Sequence, residues 1–365
     1  MKPPRHFKGR YGYTTGACAT AALKGALLIL FGQIQPRIKI KLPVGWEAEF
    51  ELKSLASNGK EAWASVIKDA GDDPDVTNGA EIKVKVKLIP GTGKIRFQAG
   101  EGVGIVTKPG LGIPIGEPAI SAVPRRMMER VIAEILGKNK KLWDFIVTIS
   151  IPEGERLAQN TLNARLGIKG GLSILGTKGI VIPFSTAAYK ASIVKAFHVA
   201  RALGIQEVIL TTGGRSEAFC QKIFKDLPEE AFVQVGDFVG FSLRSARRNG
   251  FRRITLAMML AKMAKIAAGL PNTHAKYGNV PLEKLLLWVQ QISNLPKDFF
   301  TKKEILTARH LLEILKEKTP HLLQPFAERV CSEAASKALE MAKGSVNIRA
   351  ILLDFDGELL ACVEK

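Results

Sequence analysis

Cysteine is scarce in this 365-residue chain, and its four copies, Cys18, Cys220, Cys331 and Cys362, form no CxxC pair. That excludes a disulfide framework and a cysteine-rich zinc site, and it fits a reducing compartment. Aromatic residues make up 7% of the chain and never interleave with basic ones in the way that stacks nucleic-acid bases. Long apolar runs are missing as well. Residues 17–31 contain Lys24, and residues 254–270 contain Lys262 and Lys265, so neither supplies the roughly 20 apolar residues of a membrane span. Lys2, Arg5, Lys8 and Arg10 before the first run imitate a signal peptide, but Lys24 interrupts it and no small-x-small cleavage pattern follows Phe31. A soluble, cytoplasmic protein is expected. Neither GxGxxG nor a P-loop occurs, which argues against a standard dinucleotide or nucleoside triphosphate site. His6, His198, His310 and His321 lie too far apart in sequence to suggest a shared metal site.

Positive charge is abundant. Lys and Arg number 53 against 34 Asp and Glu, a formal net charge of +19. Hydrophobic residues at 46% and charged ones at 24% make the chain globular, and its length suggests two domains. A charge of this size suits nucleic acid, an anionic membrane or a polyanionic small substrate, and composition does not choose among them. Lys83, Lys85 and Lys87 alternate with Ile82, Val84 and Val86, as on a strand with one wet face. Arg244, Arg247, Arg248, Arg252 and Arg253 form a denser group, in which Arg244 and Arg248 share a helix face; an anion site and a solvated helix end both remain open.

Thr14 or Thr15 can cap a helix over 17–31, stopped by Gly32. Strand candidates follow at 37–42, 47–53, 63–68, 82–89 and 95–99, separated by turn signals such as Asn58-Gly59 and Pro90-Gly91. Strands in succession predict an α+β layer. From about residue 140 short apolar runs at 145–151, 180–183, 207–212, 232–235 and 253–257 alternate with helical stretches at 185–203, 216–225 and 238–249, the pattern of a parallel sheet with crossover helices. The tail reads as helices at 302–318 and 322–343 and a hairpin at 347–363. A lone hairpin is marginal in water, so it is expected to complete the N-terminal sheet. The fold class predicted is α+β and α/β in two domains: residues 1–141 plus 300–365, completed by the hairpin, and a central three-layer, mostly parallel α/β domain at 142–299.

Ligands of open α/β sheets bind beyond the strands' carboxyl ends. The strongest such loop is VILTTGGRSE at 208–217, where Gly213 and Gly214 permit close backbone approach, a helix start offers free NH groups, and Thr212, Ser216 and Glu217 add polar groups. Its plain alternative is a tight turn with Ser216 as cap. Asp237 in GDFVG is either a second ligand contact or an N-cap. The glycine-rich stretch 167–179 either lines a ligand or only turns the chain. Asp69, Asp72, Asp73 and Asp75 put four carboxylates in seven residues, without EF-hand spacing, so metal binding and solvated turns are both open. His274, in Asn272-Thr273-His274, is the one histidine beside polar partners, either a general acid or base or a surface or capping residue.

Several segments together resemble one family. GYTTG at 12–16 before an alanine-rich helix, DAGDDPDVTNG at 69–79, GEGVGIVTKPGLGIPIG at 100–116 and EPAI at 117–120 look like CbiD, the cobalt-precorrin-5B methyltransferase family of anaerobic cobalamin biosynthesis. LNARLGI at 162–168, the loop 170–180, the 211–217 turn and Asn272-Thr273-His274 keep that family's order. Two positions depart from it: Ile182 stands where a glutamate is usual, and Ala164 where a proline is common. The resemblance implies methyl transfer from S-adenosylmethionine, as co-substrate, to carbon 1 of cobalt-precorrin-5B, giving cobalt-precorrin-6A. Cobalt would arrive only within the substrate, with no metal site on the protein. On this reading the donor is held by Thr212, Gly213, Gly214, Ser216, Glu217 and Asp237. The corrinoid carboxylates meet Lys108, Arg125, Arg165 and Arg215 beside Thr14 and Thr15, and His274 and Asp72 are candidate catalytic groups. The partner expected is this small corrinoid, with no nucleic acid and no membrane, and with a homo-oligomer left open. The rival readings are an NAD(P)-dependent corrinoid or tetrapyrrole reductase, which the missing GxGxxG disfavours, and a basic nucleic-acid-binding protein.

Overall fold

A computed structural model describes residues 9–293 and 305–365. The chain divides after Ser185 into two compact units. Lys2, Arg5, His6, Lys8 and the start of the helix expected at 302–318 lie outside the described residues.

The first unit runs β1 (Gly12–Tyr13), α1 (Thr15–Leu30), β2 (Arg37–Lys41), β3 (Glu47–Glu51), β4 (Ser54–Ser57), β5 (Glu61–Ile67), β6 (Glu81–Pro90), β7 (Ile95–Ala99), β8 (Ile105–Val106), α2 (Ala122–Leu136), β9 (Trp143–Ser150), α3 (Gly154–Ala158), β10 (Ile168–Lys169) and β11 (Ile180–Val181). Thr14 caps α1, its Oγ1 accepting from the Ala17 NH at 3.2 Å. Small side chains let this helix be buried nearly all round, from Ala17 to Leu28. Its one lysine, Lys24, reaches out to the Lys39 carbonyl at 2.9 Å and Glu134 at 2.7 Å. The signal-like run is thus a core helix. It packs on β5 and β6 of a five-stranded sheet ordered β4-β5-β6-β9-β7, antiparallel except between β7 and β9. In β6, Ile82, Val84 and Val86 are fully buried and the intervening lysines face outward. Each such buried aliphatic side chain contributes roughly 1.5–3 kcal/mol. Helix α2, absent from the sequence reading, buries Met127, Met128, Val131 and Ile132 at helical spacing and packs against α1.

The second unit runs α4 (Thr186–Ala202), β12 (Glu207–Thr211), α5 (Gly214–Ile223), β13 (Phe232–Gln234), α6 (Val239–Arg248), β14 (Arg253–Met259), α7 (Leu260–Ala267), α8 (Leu282–Ile292), α9 (Ala308–Lys318), α10 (Pro320–Ala342), β15 (Asn347–Leu353) and β16 (Leu359–Glu364). Its sheet is ordered β13-β12-β14-β15-β16, parallel except for β16. Val208, Leu210, Leu256 and Ala350 face the cluster shared with α4, α6, α7 and α10, while Ile209, Phe232, Ala257 and Ile351 face Cys220 of α5. Three layers result, as expected. No helix among the described residues is long and apolar enough to cross a membrane.

The domain boundaries differ from expectation. The C-terminal hairpin β15-β16 does not complete the first unit's sheet; β15 lies between β14 and β16 in the second. The residues explain this, because Ile348, Ala350 and Leu352 bury on one face while Ile351 and Leu353 bury on the other, and a strand covered on both sides belongs inside a parallel sheet. Conversely β9, expected to open the α/β domain, buries only Phe145, Val147 and Ile149 in alternation and pairs with β6 and β7 of the first unit. The short β11 pairs with β1, also in the first unit.

Candidate functional site

The carboxyl ends of β12, β13, β14 and β15 share one edge of the second unit's sheet. The chain leaves β12 into α5 on one face, but leaves β13 and β14 into α6 and α7 on the other. Loops diverging in this way open a crevice at the strand ends.

The turn after β12 contains Thr212, Gly213 and Gly214. Gly213 caps α5 with φ 178° and ψ 177°, extended backbone open to any residue, and a side chain there would meet nothing within 4 Å. A Cβ on Gly214 would approach only Gln234, at 3.7 Å. Neither fold nor packing therefore asks for glycine here, and the bare backbone stays approachable from outside. Just before the turn, Thr211 is fully buried and its Oγ1 has no hydrogen-bond partner. Ser216, inside α5, donates back to the Gly213 carbonyl at 2.9 Å; it is not the cap, which is Gly213 with no side-chain cap bond. Glu217 is buried and accepts from Gln234 Nε2 at 2.5 Å, so its carboxylate ties the first turn of α5 to the end of β13. Arg215 donates to the Phe355 carbonyl in the β15-β16 turn, with its guanidinium 5.8 Å from the Phe219 ring centre.

Asp237 sits in the loop between β13 and α6. Its Oδ1 accepts from Lys262 Nζ at 2.5 Å and from Thr273 Oγ1 at 2.6 Å. Burial raises the pKa of this carboxyl, but those two bonds and the Lys262 charge more than offset it and hold the group below the usual range. Lys265, buried, donates to the Thr273 carbonyl at 3.0 Å; burial and then the neighbouring Lys262 lower its pKa. His274 follows directly, its Nδ1 accepting from the Lys276 NH at 3.1 Å, while its own NH is held by Asn272 at 2.9 Å. Asp237, Thr273 and His274, distant in sequence, are thus brought together. The two lysines of this cluster went unassigned in the sequence reading. Their signal was charge interrupting the apolar run 254–270. A second ion pair unseen in the sequence stands at the end of β15, where buried Asp354 accepts from Lys316 at 2.5 Å and from the NH groups of Asp356 and Glu358.

The first unit holds the other candidates. Thr14 and Thr15 are buried: Thr14 caps α1, and Thr15 Oγ1 accepts from the Leu175 NH at 3.0 Å. A Cβ on Gly176, whose φ is +140°, would strike Thr14. Both threonines therefore pin the glycine-rich stretch to the helix. Asn163, also buried, braces the same stretch through the Gly171 carbonyl. Lys108 and Arg165 are half-buried, and a Cβ added at Gly167 would meet the Lys108 stem at 2.4–2.7 Å. Arg125 stacks over Phe97 and donates to the Ile120 and Pro118 carbonyls, bracing the 117–120 segment. In the acidic loop, Asp69 pairs with Arg10, Asp72 accepts from the Arg10 NH at 2.6 Å, Asp73 accepts from the Phe184 NH at 2.9 Å, and Asp75 pairs with buried Lys68 at 2.8 Å. Each carboxylate has its own donor. Among the described residues no group of three or more His, Cys, Asp or Glu is placed to hold a metal ion.

Comparison with known proteins gives two family matches, CbiD over residues 2–183 and the CbiD C-terminal domain over residues 272–364. The chain is 48% identical to the cobalt-precorrin-5B C(1)-methyltransferase of Thermus thermophilus over 317 residues, 87% of this chain and 84% of the relative. It is 44% identical to the protein of that name from a Geobacillus species, covering 96% and 95%, and 43% identical to that of Priestia megaterium, covering 98% and 97%. Among solved structures it resembles the cobalamin biosynthesis protein CbiD of Archaeoglobus fulgidus, at 24% identity and a TM-score of 0.39, covering 73% of this chain and 83% of that one.

Proposed function

This chain belongs to the CbiD family, and on that premise we propose that it is a methyltransferase of cobalamin biosynthesis that methylates carbon 1 of cobalt-precorrin-5B, using S-adenosylmethionine, in the cytoplasm. The observation that carries the reading is likeness along almost the whole chain to relatives bearing that name.

The carboxyl edge of the second unit suits such a donor on two grounds: a glycine that neither backbone nor neighbours require, and the Thr211 hydroxyl beside it, buried and without a partner. S-adenosylmethionine supplies a methyl group on a sulfonium, a leaving group already activated. What remains for the protein is placement. The open NH groups of the Gly213–Ser216 turn offer hydrogen bonds to a carboxylate or hydroxyl of the donor. Asp237, kept ionised by Lys262 and Thr273, fixes its loop near the same edge. His274 stands next to it with Nε2 available as an acid or base. The corrinoid carries several carboxylates, and half-buried Lys108, whose stem lies against Gly167, and Arg165, two residues before that glycine, are cations suited to meet one.

The test is methyl transfer to cobalt-precorrin-5B followed by mass spectrometry. One added methyl per product, dependent on S-adenosylmethionine, is expected. Donor-dependent turnover that adds no methyl, or no turnover by folded protein, overturns the reading.

A further inference from the structure

At the amino edge of the second unit's sheet, opposite the glycine turn, the starts of β14 and β15 and the last turn of α6 enclose a cleft of about 440 Å3. Arg247, Phe251, Arg252, Ser345 and Asn347 line it. This size falls within the range of small-molecule sites.

The charges along this edge are unequal in their partners. Arg253 and Arg349 are neutralised by Glu207 and Glu364, at 3.0–3.5 Å. Arg247 and Arg252 have no carboxylate within ion-pair distance among the described residues. The Arg247 Nε is moreover buried with no hydrogen-bond partner. Its guanidinium lies tight against Gly344, where an added Cβ would come within 2.5 Å of Nη1, so glycine is what admits the arginine to this place. Arg201 adds a third guanidinium beside Gly250, fixed by a 2.9 Å bond to the Ile205 carbonyl and stacked 5.5 Å from the Phe251 ring centre. Attraction to the carboxyl end of α6 accounts for basic residues in its last turn. It does not account for two guanidinium groups, those of Arg247 and Arg252, lining one cleft without a carboxylate partner among the described residues, nor for an Arg247 Nε buried behind that lining with no acceptor.

We propose that this cleft is a second ligand site, which takes a small molecule or ion through a carboxylate or phosphate group held by Arg247 and Arg252. The seven residues of β14, at roughly 3.3 Å each, separate it from the carboxyl edge by ~20 Å. It is therefore distinct from the donor turn, and it gives the arginine group at 244–253 a use beyond solvation.

The experiment is thermal melting and calorimetric titration of the whole protein with inorganic phosphate, pyrophosphate and tricarballylate, each against chloride at equal ionic strength. The variants are Arg252→Gln, at an exposed position, and Arg247→Gln, which removes the unmet donor. At least one of these anions is expected to raise the melting temperature above the chloride control, because a ligand of the native state stabilises it. Affinity should fall about tenfold or more with either substitution, as each removes one charged fork. Stronger binding of pyrophosphate points to a phosphate ligand, and stronger binding of tricarballylate to a carboxylate; either supports the site. No anion-specific shift, or the same affinity in Arg252→Gln as in the unaltered protein, overturns it.

Discussion

Gly213 separates structural from functional use of a residue unusually well. Most glycines of this chain have left-handed backbone or a neighbour pressed against the missing side chain, whereas Gly213 has neither. Replacing Gly213 with Val at this N-cap is expected to lower the melting temperature by only about 2–4 °C and to leave the protein folded, since a poorer cap costs about 1 kcal/mol. Affinity for S-adenosylhomocysteine, titrated calorimetrically, should fall by about tenfold or more as the added branches block approach to the turn. A folded variant with unchanged affinity removes this turn from the donor site. The neighbouring residues carry a different lesson. Asp237 and His274 were legible as polar residues in a loop, but the lysines that complete their cluster were not, because Lys262 and Lys265 sit in a helix that reads as apolar. Thr14, Thr15 and Arg125 read as binding groups, and in the fold each also braces a neighbouring segment. Residue type reveals that a side chain can donate or accept, and only tertiary contact decides to whom.

At the scale of elements, local periodicity made most of the longer strands and helices legible, whereas α2, α3, α7, α8 and the short strands β1, β4, β8 and β10 were not among them. The β6 alternation and the β12, β13 and β14 runs appear within one or two residues of where pattern puts them. Helix α2 escaped because proline and two arginines at its start mask an apolar stripe that begins only at Met127. Sheet membership was less legible, since hydrogen-bonding partners lie far along the chain. Even so, the run Ile348–Ala350–Ile351–Leu352–Leu353 carried the information: continuous burial is the mark of an inner parallel strand, and one-sided alternation, as in β9, is not. Removing residues 345–365 should accordingly destroy the second unit and spare the first. Hydrogen exchange read by mass spectrometry is expected to show protection lost across β12, β13 and β14, with β5, β6 and β9 retaining theirs. Loss confined to the first unit would contradict the assigned strand order.

For the molecule as a whole, the excess of basic charge is the property that composition announced and the fold preserves. In the acidic loop at 69–75, Asp69 and Asp75 are paired with Arg10 and Lys68, while Asp72 and Asp73 take backbone NH groups. If that excess draws in a polycarboxylate substrate, raising salt from ~0.1 M to ~1 M, which shortens the screening length from about 10 to about 3 Å, should lower kcat/KM by about tenfold and kcat much less. Steady-state rates of methyl transfer across a salt series at saturating donor would check it; a flat kcat/KM would remove steering as the purpose of the charge.

The place of β15 also sets an order of events for the newborn chain. Its partner β14 precedes it by about ninety residues, so the second sheet has no inner strand to close upon until residues 347–353 have emerged from the ribosome. All strands of the first unit are synthesised before residue 186, and its sheet can form while the rest is still being made. In that interval β14 presents a bare, strongly apolar edge, which makes the half-made second unit the stage at which this protein is exposed to aggregation and to capture by chaperones.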